Sequence, residues 1–214
     1  MAYVVPMPGA GPSVLPRQTP LTVISPQFLA TYPVDLIITE KMMTIKEGAF
    51  TVSDVNGNLM FQIKGSLFSL HDRRTLLDGA GTPIVSFRQK IMTTHRRWNV
   101  FRGDSSDAKN LLFTVKKSSL FQMKTELDVF LAGNTSNEKA FDFKIKGSWG
   151  ERSCTIYDRN NTIIAQMHKK HDLKSMFFGR DAFSVTVYPH VDYAFVVAIV
   201  VVLHEINMDR SGLD

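Results

Sequence analysis

The stretch Tyr193-Ala-Phe-Val-Val-Ala-Ile-Val-Val-Val-Leu203 carries no charge, and it limits what the rest of the chain can fold into. A membrane span needs roughly 20 apolar residues at about 1.5 Å rise each, about twice what this run supplies. A buried strand would suit the valines, but a strand of that length ordinarily carries a turn signal. A core helix fits best. Pro189 and Asp192 stand where a helix starts, with the carboxylate near the positive end of the helix dipole, and Asn207 stands where one can end. A helix over about 191–206 with no polar face must be buried on every side. The remainder of the chain has to supply its enclosure.

That enclosure is legible as strands. From Val34 onward, short segments alternate apolar and polar residues at the period of a half-buried strand, as in Phe141-Asp-Phe-Lys-Ile145 and Phe183-Ser-Val-Thr-Val187. Others are Leu36–Ile38, Ala49–Val52, Leu59–Ile63, Leu67–Leu70, Ile84–Phe87, Trp98–Phe101, Leu111–Val115, Leu127–Leu131, Cys154–Tyr157 and Ile163–Ala165. Asp54-Val-Asn-Gly-Asn58, Asp78-Gly-Ala-Gly81 and Asp158-Arg-Asn-Asn161 punctuate them, because Gly, Asn and Asp tolerate positive φ. About twelve such strands predict an all-β sandwich or barrel.

An internal repeat favours the barrel. Phe61-Gln-Ile-Lys-Gly-Ser66 recurs as Phe143-Lys-Ile-Lys-Gly-Ser148, and Asp78–Lys90 lines up with Asp158–Lys170. Two copies are too few for an open array, so a closed, pseudo-symmetric sheet is the simpler consequence. Closure also removes exposed strand edges. A ring of about twelve strands is too wide for its own side chains to fill, so the Tyr193–Leu203 run is the expected plug.

Composition bounds the rest. The chain has 214 residues, 44% of them hydrophobic, enough for one domain with a sizeable core. Outside Pro83 and Pro189, every proline lies in residues 1–33, which read as a flexible proline-rich arm ahead of a barrel domain over 34–214. Cys154 is the sole cysteine, which excludes an intramolecular disulfide and argues for a reducing compartment and a buried structural thiol. Pro6, Pro8 and Pro12 interrupt any secretory signal. The expectation is a cytoplasmic protein or one peripheral at the plasma membrane, with the nucleus open to it, neither secreted nor membrane-spanning.

The turns, the two Lys-Gly-Ser copies and the ending Tyr188-Pro189 followed by Asp192-Tyr193-Ala-Phe195 and the valines resemble the plant LURP-one-related proteins. The resemblance covers nearly everything after the proline arm. It implies the tubby C-terminal fold, a closed twelve-stranded antiparallel barrel around a central hydrophobic helix, in a grouping shared with phospholipid scramblases. The family's namesake is associated with plant defence. Tubby-like domains bind phosphoinositides and tether a transcription regulator to the plasma membrane. The single cysteine argues against the acylation sites of scramblases, and no tubby lipid-binding residue is carried over.

The chain's own candidates are basic residues at strand ends: Arg88 with Lys90, Arg96 with Arg97, Lys116 with Lys117, and His168-Lys169-Lys170. The repeat makes Arg88/Lys90 equivalent to His168/Lys170, so they could converge on one rim. Such a rim suits a phosphoinositide or an anionic membrane surface, at about 1 kcal/mol per basic residue near the membrane. The net charge of +5, from 25 basic and 20 acidic residues, also fits a merely solvated face. His168 and His171 point to opposite faces if they lie on a strand, and no ligand cluster completes a metal site. Gly57 stands at the fourth position of a calcium-like loop instead of the sixth, so that stretch is a turn. No nucleophile elbow, P-loop, dinucleotide fingerprint or zinc-protease motif appears, and no cofactor is implied. Trp98 and Phe101 beside arginines imitate a base-stacking face, but aromatics alternating on strands usually point inward, which leaves no clear nucleic-acid signal. The expectation is a non-enzymatic, monomeric interaction or membrane-tethering module in plant defence or stress response. The alternatives are a protein-binding scaffold using the proline arm and, below it, a nucleic-acid-binding module.

Overall fold

The computed structural model describes residues 19–43, 47–65, 73–90, 97–119, 125–136, 138–169 and 182–211. Its strands are β1 Val34–Met43, β2 Glu47–Ser53, β3 Leu59–Gly65, β4 Arg73–Asp78, β5 Pro83–Lys90 and β6 Arg97–Arg102. They continue as β7 Leu111–Lys117, β8 Thr125–Leu131, β9 Phe143–Gly147, β10 Thr155–Asp158, β11 Ile163–Lys169 and β12 Ala182–Val187. Each strand pairs antiparallel with its neighbours in sequence, and β1 pairs with β12 to close the barrel. The closing register sets Leu36 opposite Val185 and Ile38 opposite Phe183.

The helix α1, Tyr193–Ser211, threads the lumen. Every residue from Ala194 to Glu205 is buried, which is what a helix with apolar residues all round requires. Alternate residues of each strand face it: Val85 and Phe87 from β5, Trp98 and Val100 from β6, Phe113 and Val115 from β7. Phe195 sits edge-on to Phe113 at 5.1 Å and to Phe143 at 5.0 Å between ring centroids. Each valine or leucine buried this way contributes about 1.5–3 kcal/mol, as an upper bound.

The sequence repeat is a half-turn of the barrel. In a closed ring of twelve, β3–β5 stand opposite β9–β11. Phe61 pairs with Asp78 in one copy, and Phe143 with Asp158 in the other. Both aspartates anchor their turns alike: Asp78 Oδ1 accepts from the N–H of Ala80 and Thr82, and Asp158 Oδ1 from those of Asn160 and Thr162. The left-handed position is Gly81 (φ +89°) in one turn and Asn161 (φ +60°) in the other. Asp54 builds a third such turn, accepting from Asn56 and Asn58, with Gly57 at φ +86°.

Three expectations need correction. The strand Arg73–Asp78 escaped the sequence reading, because its ends are charged; the expected strand at Leu67–Leu70 lies outside the described residues. The helix runs beyond 206 to Ser211, since Asn207 does not end it: its Nδ2 donates back to the Leu203 carbonyl at 2.6 Å.

The expected flexible arm over 1–33 is packed structure from Thr19 onward, while residues 1–18 lie outside the described set. Leu21 bridges Val191, Pro26–Phe28 form a 3-10 turn, and Ile24 and Phe28 are buried in the core. Asp192 is the physical reason. Its Oδ1 caps α1 by accepting from Phe195 N–H at 3.1 Å. Its Oδ2 accepts from the N–H groups of Val23, Ile24 and Ser25 at 3.2, 2.7 and 3.1 Å. One fully buried carboxylate thus ties the N-terminal segment to the first turn of the helix.

Candidate functional site

The antiparallel ring gives the barrel two ends of different chemistry. At the proximal end, where α1 begins, lie the aspartate turns of Asp54, Asp78 and Asp158 and the buried Asp192. At the distal end, where α1 leaves the barrel, lie the last residues of β3, β5, β7, β9 and β11 and the first residues of β4 and β6. Every nominated basic residue that is described falls at this distal end. Arg96 and Lys170 lie outside the described residues.

Within that set the residues differ. Lys90, His168 and Lys169 are exposed, and Arg88 and Lys117 are half-buried. Arg97 and Lys116 are held by one acidic residue of the β8–β9 connection. Arg97 Nη1 and Nη2 donate to the two oxygens of Glu138 at 2.6 and 2.8 Å, and Lys116 Nζ donates to Oε2 at 2.9 Å. Burial works to raise the Glu138 pKa, but the hydrogen bonds and charges of Lys116 and Arg97 outweigh it and hold the carboxyl below its ordinary value. Lys116 also lies over the Phe130 ring, 4.7 Å from its centroid.

The expected convergence of Arg88/Lys90 with His168/Lys170 takes a different form. β5 and β11 are half a barrel apart, so the two copies share one end but stand on opposite walls. The sequence reading also missed two exposed lysines near the same end, Lys64 on β3 and Lys146 on β9. They are equivalent positions of the Phe-x-Ile-Lys-Gly repeat, which was the signal that could have found them. Exposed cations therefore stand around the distal end on β3, β5, β9 and β11 rather than on one face.

Inside this end the lumen is closed by a charged and aromatic layer. Arg74 points inward from β4 and bonds Glu205 of α1 at 3.0 Å. His204 sits edge-on to Phe50 at 4.3 Å and to Trp149 at 5.6 Å. Arg152 stacks over Trp149 and Phe183, 4.1 and 4.7 Å from the ring centroids. Burial, with lesser repulsion from Arg152 and Arg74, pushes the His204 pKa down to about 3, so the ring is neutral.

A cavity of about 660 Å³ opens instead beside the β8–β9 connection, where Asn134, Lys139, Phe141, Asp142 and Arg159 line it. Its acid, Asp142, pairs with Arg159. Cys154 is buried and its thiol is pushed up to about 12, chiefly by burial, which leaves it inert as the sequence implied. Trp98 and Phe101 are both buried, so neither offers a face to a base. Among the described residues, no helix is long and apolar enough to cross a membrane.

Comparison with known proteins bears on this architecture. A family model described as LURP-one-related matches residues 34–204. Protein LURP-one-related 15 of Arabidopsis thaliana is 52% identical over 207 residues, covering 95% of each chain. Protein LURP-one-related 10 of the same plant is 49% identical, covering 89% of this chain and 99% of its own length. An X-ray structure of an Arabidopsis thaliana protein, 46% identical, superposes with a TM-score of 0.70 over 87% of this chain and 98% of the other.

Proposed function

Starting from the premise that the chain belongs to the LURP-one-related family, we propose that it is a non-enzymatic barrel whose distal end docks on an anionic, phosphoinositide-bearing membrane. The observation that carries this reading is the distribution of exposed cations. Lys64, Lys90, Lys146 and Lys169 ring one end of the barrel, with the exposed His168 among them, and the aspartate turns occupy the other. A ring around a rim meets a flat charged surface all at once, whereas a small soluble ligand would need its cations in one pocket. At about 1 kcal/mol per basic residue, a few such lysines give weak, reversible and salt-sensitive attachment. The protein then acts as a peripheral tether in plant defence or stress signalling, in the manner of tubby-like domains.

The protein-scaffold reading draws less support, because residues 19–28 of the proline arm are used to close the proximal end. Flotation with vesicles containing a phosphatidylinositol phosphate tests the proposal. The wild type should float at low salt, float less as salt rises, and lose most of its recovery as the Lys64→Glu/Lys146→Glu double variant. Equal recovery of the double variant and the wild type would contradict it.

A further inference from the structure

The contact between Glu138 and the β6–β7 wall has the form of a site already filled. Arg97 presents both terminal nitrogens of its guanidinium to the two oxygens of one carboxylate, and Lys116 reaches one of those oxygens from the neighbouring strand. A planar fork with an added ammonium is the donor set that takes a phosphate or carboxylate. Two further features mark the arrangement as costly for a merely structural ion pair. Glu138 adopts φ +62°, a left-handed backbone that a glutamate side chain gains nothing from. The Nε of Arg97 is buried without a hydrogen-bond partner, so one donor of the same guanidinium remains unused beside the carboxylate. All three side chains of the cluster stay about a fifth to a third exposed, within reach of an incoming ligand.

We propose that Glu138 is an intramolecular stand-in for the phosphate of a phosphorylated inositol headgroup, masking an anion site made by Arg97 and Lys116 until such a headgroup displaces it. The inference rests on the reading of the distal end as a membrane contact and makes it more specific. The ring of exposed lysines supplies non-specific attraction, and the masked pair is a discrete place where a phosphomonoester is selected. A dianionic phosphate offers more charge and more acceptor oxygens than the carboxylate it replaces, enough to engage the idle Arg97 Nε as well.

The experiment titrates the full chain with soluble inositol trisphosphate by calorimetry, and in parallel floats it with vesicles carrying the corresponding lipid. The variants are Glu138→Gln, Glu138→Gly, and Glu138→Gln combined with Arg97→Gln. Removing the carboxylate should tighten binding of the soluble headgroup several-fold, and the added Arg97→Gln should cancel the gain. Glu138→Gly keeps the test valid if the glutamine variant folds poorly, since glycine accepts the left-handed backbone without strain. Unchanged or weaker binding in both single variants, or no binding by any variant, would overturn the proposal. Tighter binding of the soluble headgroup without any flotation would sink the membrane reading and leave the masked site standing.

Discussion

The two ends of the barrel are made of the same strands, yet their charged groups are spent differently. At the proximal end the carboxylates are consumed internally: Asp54, Asp78 and Asp158 each satisfy two turn amides, and Asp192 satisfies four N–H groups between the N-terminal segment and α1. At the distal end Arg74 and Glu205 pair inside the barrel, Glu138 holds Arg97 and Lys116 on the wall, and Lys64, Lys146 and Lys169 are exposed on the outside. The difference separates charge that holds the fold from charge left over for contact. It predicts that mutation at the proximal end costs stability, whereas mutation on the distal wall costs binding.

The largest effect should come from Asp192→Ala. The loss of the helix cap and of the tie to residues 23–25 should destabilise the protein by about 3–5 kcal/mol, read as a shift in denaturant midpoint. A cost below about 1 kcal/mol would show that the proximal end is not held by this carboxylate.

Next comes acid sensitivity from within the distal end. His204 is neutral in the fold with its pKa near 3, and it ordinarily titrates at 6.5. The unfolded chain therefore binds a proton first, and the stability present above pH 6.5 is lost as pH falls toward 3. Roughly 2 kcal/mol should be gone by about pH 5 from this group, and His204→Phe should flatten that part of the profile. An unchanged profile in the variant would remove His204 as the cause.

The smallest effect on stability belongs to Lys64→Glu and Lys146→Glu, each expected within about 0.5 kcal/mol of wild type because both side chains lie on the exposed wall. A large loss of stability there would blur the contrast between the two ends.

How much of this was legible beforehand follows from which signals are local. Length and the absence of a polar face favour a core helix for the apolar run from Tyr193 over a strand or a membrane span, so the plugged barrel could be inferred before any strand pairing was known. The repeat showed two like halves, because both copies keep the Phe-x-Ile-Lys-Gly strand and the aspartate turn, but not that the halves stand on opposite walls. The strand at Arg73–Asp78 was hidden because the charge of Arg74 is neutralised by Glu205, far along the chain. The packed N-terminal segment was hidden for a like reason: prolines signal an extended chain, and its anchor is a side chain 167 to 169 positions away. For the candidate site, the gathering of basic residues at strand termini was legible. Which of them are held on the wall was not, because Glu138 meets Arg97 only through a connection folded back along the wall.

The contrast between the ends is tested most directly by lysine footprinting, with acetylation read by mass spectrometry on the full chain with and without phosphoinositide-bearing vesicles. The account predicts that Lys64, Lys146 and Lys169 become protected, while Lys109, exposed at the proximal end between β6 and β7, keeps its reactivity. Equal protection at both ends, or protection of Lys109 alone, would contradict it.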